Sequence, residues 1–212
     1  MLPLLLLLSH ASCPSDQWIV EAQSPLSIVT WQGDTCDIQS PAGITLWYHQ
    51  PLTAGTVIQY DARIVADSAY CDADGRLRIS DLNCFWMADR RGQQTGRFED
   101  YYTQQLYYVG YGGNSNTTTR FRRYTGDTLA VTDASRRPAI LQEYTDSTHL
   151  LRPDHWYHIR LELTTDGHAR YTIDGQTLVD YADPQPLRQG YFGFRTTLSH
   201  AQFCNFRVDH RD

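Results

Sequence analysis

The sequence predicts an all-β protein, a two-sheet antiparallel β-sandwich or jelly roll, and three observations carry that prediction. Apolar and polar residues alternate with period two in short runs, the spacing of a strand with one buried face. Segments rich in glycine, proline and aspartate separate the runs, and no stretch shows the apolar stripe of a helix. The length of 212 residues suits a single domain of this class, since sandwiches reach about 200–250 residues as one unit and bury a core large enough to stand without disulfides.

Strands are expected over 44–49, 57–66, 80–88, 101–111, 117–124, 156–164, 168–173, 177–181, 191–198 and 201–208. Thr165-Asp166-Gly167 and Asp174-Gly175 are hairpin signals between alternating runs. They define a meander in which Tyr157, Ile159, Leu161 and Leu163 alternate with His158, Arg160 and Glu162. Pro41, Pro51, Pro138, Pro153 and Pro184 fall between strands, where a missing amide donor costs nothing. A short helix is expected over 139–144, and a turn at His200 separates the last two strands. One jelly-roll domain is expected over 25–210.

Residues 1–13 form a separate unit. Leu4 to Leu8 is too short for a membrane span, which needs roughly 20 apolar residues. With His10-Ala11-Ser12-Cys13 it reads as a secretory or lipoprotein signal, so export and membrane attachment through a lipidated Cys13 are expected, placing the protein in the periplasm, outside the cell or on the outer membrane. Of the other cysteines, none has CxxC spacing, which argues against a zinc knuckle. Cys84 and Cys204 lie in apolar runs as buried thiols, whereas Cys36 and Cys71 lie in loop-like sequence and are candidates for a disulfide. The formal net charge is −6 and all 18 basic residues are arginine. An acidic total argues against nonspecific nucleic-acid binding, and clustered arginines suit carboxylates better than lysines do.

The closing segments HWYHIRLEL, YTIDGQTLVDYADPQPL and GYFGFRTTLSHAQFCNFRV resemble the end of concanavalin A-like lectin/glucanase domains. More narrowly, SDLNCFWMAD, YYTQQLYYVGYGGNSNTTTRFRRY and FGFRTTLSH resemble the YesU-like family of uncharacterised bacterial proteins. That resemblance spans roughly residues 25 to 210. It implies a jelly roll in a carbohydrate context, alongside machinery that degrades pectin and related polysaccharides, and it transfers no catalytic residues.

The residues themselves point the same way. The stretch from Phe98 to Tyr124 holds six tyrosines, three arginines, four threonines and two asparagines, a set suited to stacking on sugar rings and gripping hydroxyls or carboxylates. On the strand 117–124, Arg120 and Arg122 share a face with Thr118 and Tyr124. Two unpaired charges cannot sit in the core, so this face lines a groove or a salt-bridge network. There Arg120 clamps a uronate or pairs with Glu99 or Asp100. Asp81 and Asn83 alternate with the apolar Leu82, Cys84 and Trp86 and face the groove, solvent or a calcium ion. Asp72-Ala73-Asp74-Gly75 reads as a turn that lacks the remaining ligand spacing of the calcium loop it resembles; no cofactor is expected beyond a structural calcium. Arg195 points away from the Phe192/Phe194 face, and Thr197 and His200 follow it. Gln104 and Tyr108 lie on one face of their strand, Tyr107 on the other, and Asn116 on the loop beyond.

Polysaccharide lyases need an amide or arginine to neutralise the substrate carboxylate and a tyrosine or histidine to move the proton. The candidate catalytic residues are therefore Tyr108, His200 and Arg120. The candidate binding residues are Asp81, Asn83, Gln104, Tyr107, Asn116, Arg122, Arg195 and Thr197. No E-x-D-x-x-E pattern supplies the paired carboxylates of a jelly-roll glucanase. Nor is there a GxSxG, HExxH or phosphate-loop motif. Two functions stay open: a lyase acting on an acidic plant-type polysaccharide, and a noncatalytic lectin-like module that stacks sugars on Tyr107, Tyr111 or Trp86. A purely structural outer-surface protein is a weaker third.

Overall fold

Two strands organise the molecule because each is long enough to belong to both of its layers. The computed structural model describes residues 14–92 and 95–210. In it β3 (Thr35–Tyr48) runs for 14 residues and β13 (Gln189–His210) for 22. The ordinary strand is about 5–6 residues long, so each must bend. β13 does so at two register shifts, between Thr197 and Ser199 and between Cys204 and Arg207, where Leu198 and Asn205 take left-handed φ values of 46° and 53°. The turn expected at His200 is therefore absent: 191–198 and 201–208 are one bulged strand.

The other strands are β1 (Trp18–Ala22), β2 (Ile28–Gln32), β4 (Leu52–Thr53), β5 (Thr56–Ile64), β6 (Leu82–Ala88), β7 (Gln105–Gly112), β8 (Thr118–Thr125), β9 (Gln142–Tyr144), β10 (Tyr157–Leu163), β11 (His168–Ile173) and β12 (Gln176–Ala182). All pairings are antiparallel. The first sheet runs β1–β3–β13–β6–β7–β8–β9, using the later half of β3 and the first half of β13. The second runs β12–β11–β10–β5–β13–β3–β2, using the remaining halves. The expected two-sheet antiparallel sandwich is the observed fold.

Between the sheets lies one apolar core. From the first sheet it takes Leu46, Cys84, Trp86, Tyr107, Val109, Phe121, Phe192 and Phe194; from the second, Ile58, Tyr60, Ile159, Leu161, Tyr171 and Phe203. Trp18 ties one end shut, its ring 5.0 Å from Phe203 and 4.8 Å from Phe206. A second cluster lies on the opposite, outer face of the first sheet. There Trp47, Phe85, Leu106, Tyr108 and Tyr124 pack under Tyr101 and Tyr102. These two tyrosines belong to a 3₁₀ helix, Phe98–Thr103, where a continuous strand from residue 101 was expected. The expected helix over 139–144 is instead the edge strand β9, held by β8.

The cysteines at 36, 71, 84 and 204 are all free thiols. Cys36 is buried in β3 rather than exposed in a loop, so the Cys36–Cys71 disulfide is not formed. Burial raises the thiols of Cys36 and Cys84, the latter to about 12, which leaves them inert as nucleophiles. The leader and Cys13 lie outside the described residues.

Gly193 exists because Trp47 needs its space: a Cβ there would stand 2.7 Å from the indole ring. Gly193→Ala is expected to cost about 1–3 kcal/mol by overpacking. Calorimetry should then show melting lowered by about 2–10 °C; an unchanged Tm would show that Trp47 is free to shift.

Candidate functional site

Pairing register carries the outer face of the first sheet across its strands in rows. One row reads Thr45–Arg195–Asn83–Gly110–Arg120–Glu143, and the next reads Trp47–Gly193–Phe85–Tyr108–Arg122. The second row is apolar except at its end. The first is polar throughout, and at its centre stands a glycine. A Cβ on Gly110 would lie 2.3 Å from the Tyr108 hydroxyl, so the Tyr108 ring leans over Gly110 and carries its oxygen into the polar row. Above these rows is a cavity of about 730 Å³, within the range of small-molecule sites. The 3₁₀ helix Phe98–Thr103 walls one side. The turn Gly113–Asn116 walls another, with Asn114, Ser115 and Asn116 all at left-handed φ of 52–58°.

Arg195 is the deepest cation, 2 % exposed. Its Nη1 donates to the Gly96 carbonyl at 2.9 Å, Thr45 Oγ1 at 3.1 Å and the Tyr101 hydroxyl at 3.3 Å. Tyr101 in turn donates to Glu21 Oε1 at 2.5 Å. The guanidinium carbon lies 4.9 Å from the Tyr101 ring centre and 5.4 Å from that of Phe98, at cation–π distance. Asp81 Oδ1 accepts from the Thr197 amide at 3.0 Å and Oδ2 from Asn83 Nδ2 at 2.6 Å. Burial pushes the Asp81 carboxyl above the usual range, outweighing the pull of Arg195 and Arg78. Burial, reinforced by Asp81, also raises the Tyr108 phenol. Its hydroxyl has no hydrogen-bond partner among the described residues, so it can donate to a ligand, but it does not offer a phenolate at neutral pH.

Six arginines line the cavity, Arg78, Arg97, Arg120, Arg122, Arg137 and Arg195, against two carboxylates, Asp81 and Glu99. Of these six, only Arg120 forms an ion pair among the described residues, its Nε 2.5 Å from Glu143 Oε1. The partner is Glu143, not Glu99 or Asp100. Arg122 Nη1 bonds the Pro138 carbonyl, Arg137 lies 5.4 Å over the Tyr102 ring, and Arg78 Nε donates to the Leu198 carbonyl at 3.0 Å. Uncompensated guanidinium groups around a concave surface attract anions, and their planar forks match carboxylates.

Of the residues expected at the site, Asp81, Asn83, Tyr108, Arg120, Arg122, Arg195 and Thr197 line the cavity. Four others do not. Tyr107 faces the core, its hydroxyl donating to Asp183 Oδ2 at 2.6 Å beside Arg123 Nε, also at 2.6 Å. Gln104 is buried where the 3₁₀ helix ends. Asn116 fastens the left-handed turn, accepting from the Leu151 amide at 2.8 Å and donating to its carbonyl at 2.9 Å. His200 lies on the outer face of the second sheet. Trp86 and Tyr111, expected to stack sugars, are also core residues; Phe98, Tyr102 and Tyr108 are the rings that reach the cavity. Gln23, Arg78, Arg97 and Arg137 join them from loops and edges that carry no periodic signal. The Asp72–Gly75 segment is a turn whose Asp72 Oδ1 accepts from the amides of Asp74 and Arg76, both at 2.9 Å. Among the described residues no cluster of three His, Cys, Asp or Glu side chains could hold a metal.

His200 is a clasp. Its Nδ1 is 2.9 Å from Asp67 and its Nε2 2.9 Å from Asp37, so one ring bridges two carboxylates. Burial alone would raise the Asp37 carboxyl, but hydrogen bonds from Gln202, His200 and Gln39 outweigh it and hold it low. The Ala69 amide and His200 hold Asp67 low. A lowered carboxyl contributes stability above its unfolded value, lost as pH falls through the folded one. His200→Gln should therefore melt below the parent at about pH 5, the gap closing as pH falls past the ordinary aspartate value of about 3.9. A pH series of melting curves checks this; a constant gap down to about pH 2 would refute the clasp.

The chain matches the model of a family described as a domain of unknown function, DUF6250, over residues 38–206. No curated protein matches it. Among solved structures it is similar to a Bacillus subtilis protein of unknown function with a galectin-like fold: TM-score 0.66, 16 % identity, covering 92 % of this chain and 90 % of that one. It is also similar to the carbohydrate-binding module CBM66 from Bacillus subtilis, with TM-score 0.59, 12 % identity and coverage of 91 % and 95 %. A third is the exoplasmic/lumenal domain of VIP36 bound to calcium and Man3GlcNAc, with TM-score 0.60, 11 % identity and coverage of 92 % and 84 %. At these identities the likeness is one of fold, a galectin-like or concanavalin A-like sandwich. By the match that spans most of its length, the chain belongs to the DUF6250 family.

Proposed function

We propose that the protein binds an acidic, uronate-containing glycan in the cavity on the outer face of its first sheet. The observation that carries this reading is that five of the six arginines lining the cavity form no ion pair among the described residues. These guanidinium groups converge on one concave surface without carboxylate partners, so a ligand carrying the opposite charge complements them. The similar structures support a sugar as its bearer, since one is a carbohydrate-binding module and another holds Man3GlcNAc. The three segments that resemble YesU-like proteins, 80–89, 101–124 and 192–200, contain Asp81, Asn83, Tyr108, Arg120, Arg122, Arg195 and Thr197. We propose kinship with that family on this ground. The apolar leader adds export and lipid attachment at Cys13 to the proposal. Cys13→Ser should then abolish incorporation of labelled lipid while leaving the domain folded, and unchanged labelling would remove the anchor.

Binding is the reading favoured over lyase action, because His200 is bonded to Asp37 and Asp67 away from the cavity, and burial raises the Tyr108 phenol, which suits it to donate a hydrogen bond rather than act as a base. Calorimetry with uronate oligosaccharides, run beside an absorbance assay for unsaturated uronides, separates the two. Affinity without absorbance is expected, falling as salt is raised; a steady rise in absorbance would establish a lyase instead. Arg122 bonds a carbonyl and no carboxylate. Arg122→Ala should therefore weaken uronate binding about tenfold or more, with Tm lowered by no more than a few degrees. A large Tm loss with unchanged affinity would make Arg122 structural and defeat the proposal.

A further inference from the structure

The cavity is not uniformly cationic: its floor and its rim differ in charge balance. On the floor, Asp81, Asn83, Tyr108 and Arg195 are all buried. There the charges of Arg195 and Arg78 act on Asp81, and Arg195 is linked through Tyr101 to Glu21, so two guanidinium groups meet two carboxyl groups and the floor is close to neutral. The rest of the floor is amide and hydroxyl: Asn83, Thr197 and the unpartnered Tyr108 hydroxyl. Asn83 Oδ1 and Arg195 Nε, an acceptor and a donor on register neighbours, have no hydrogen-bond partner at all among the described residues. An anion entering here would meet the Asp81 carboxylate and could use only the donors. A sugar hydroxyl, which both donates and accepts, is complementary to the whole set.

The rim is different. Arg97 and Arg137 are exposed and Arg122 is half-buried, none forming an ion pair among the described residues, and Glu99 is the only carboxylate lining the cavity beside them. Phe98, with the Arg195 guanidinium over its ring, and Tyr102, with that of Arg137 over its own, line the cavity between floor and rim. The volume of about 730 Å³ holds more than a single ring.

We infer that the cavity takes a glycan in which a neutral sugar adjoins an acidic one, the neutral ring on the Asp81–Asn83–Tyr108–Arg195 floor and the acidic group at the Arg97–Arg122–Arg137 rim. This rests on the reading of the cavity as a site for acidic glycans and narrows it to mixed chains rather than homopolymers of uronate. Asp81 is the discriminating residue, because its charge penalises a second carboxylate placed on the floor.

Titration calorimetry with length-matched oligosaccharides tests it on the intact protein. The probes are oligogalacturonate and oligomannuronate, a neutral galacto-oligosaccharide, and chains alternating galacturonate with rhamnose or glucuronate with N-acetylhexosamine. At least one alternating chain should bind about tenfold or more tighter than either homopolymer and than the neutral chain. Homopolymers that bind as tightly as every alternating chain would overturn the inference while leaving the acidic-glycan reading intact. Failure of every acidic chain to bind would overturn both. In Asp81→Asn the preference for the alternating chain should shrink about tenfold, through a gain for the homopolymers. An unchanged preference in a variant that still binds would remove the floor assignment. If that variant does not fold, the comparison of ligands on the parent protein still decides.

Discussion

The fold depends on a constraint in β13, which must serve two sheets at once. Up to Thr197 its odd-numbered residues face outward from the first sheet, while Phe192 and Phe194 enter the core. Past Leu198 the parity reverses: Ala201 and Phe203 are inside, and His200 and Gln202 are outside on the second sheet. One bulged residue makes that exchange, since a slip of one position sends every following side chain to the other face. Arg195 and Thr197 thereby reach the cavity, while His200, three residues on from Thr197, is carried to the opposite surface of the sandwich. Residues that read as a cluster along the chain are split by the thickness of the core.

The same sheet then has to support buried charge on its outer face. Arg195 is tolerated because three neutral oxygens receive its Nη1, two aromatic rings lie under it, and Tyr101 relays to Glu21. The apolar row Trp47–Phe85–Tyr108 keeps that network dry and fixes the height of the floor, with Trp47 and Phe85 stacked at 5.7 Å. In such a setting each unmade hydrogen bond is costly, which makes the unpartnered atoms beside the cavity informative about its ligand. The outer rim follows other rules: Arg97, Arg122 and Arg137 remain partly solvated, so leaving them unpaired costs little until a ligand arrives.

Much of this was legible along the chain. Period-two alternation located β5, β6, β8, β10, β11 and β12 to within a few residues, and the glycine turns at 167 and 175 set the meander. Alternation also placed Asp81 and Asn83 opposite Cys84 and Trp86, and Arg120 beside Arg122, on the correct face. It erred where local pattern is ambiguous. Tyr107 and Tyr108 are both tyrosines, and composition cannot say that one hydroxyl meets Asp183 in a core-side network while the other leans over Gly110. Short edge strands such as β1, β2 and β9 hold their place by pairing, so their sequences carry little signal of their own.

What the sequence alone determined is the class of the protein and the faces of its regular strands, because both follow from a periodicity fixed by backbone geometry. Only the tertiary structure decided which charged residues meet. Arg78, Arg97, Arg122, Arg137 and Arg195 are up to 117 residues apart in the numbering, and they converge through strand register and loop closure. Neither is encoded in any single stretch of chain. The choice of Glu143 as the partner of Arg120, of Asp37 and Asp67 as the partners of His200, and of a neutral floor under a cationic rim follows from the order in which the strands lie side by side.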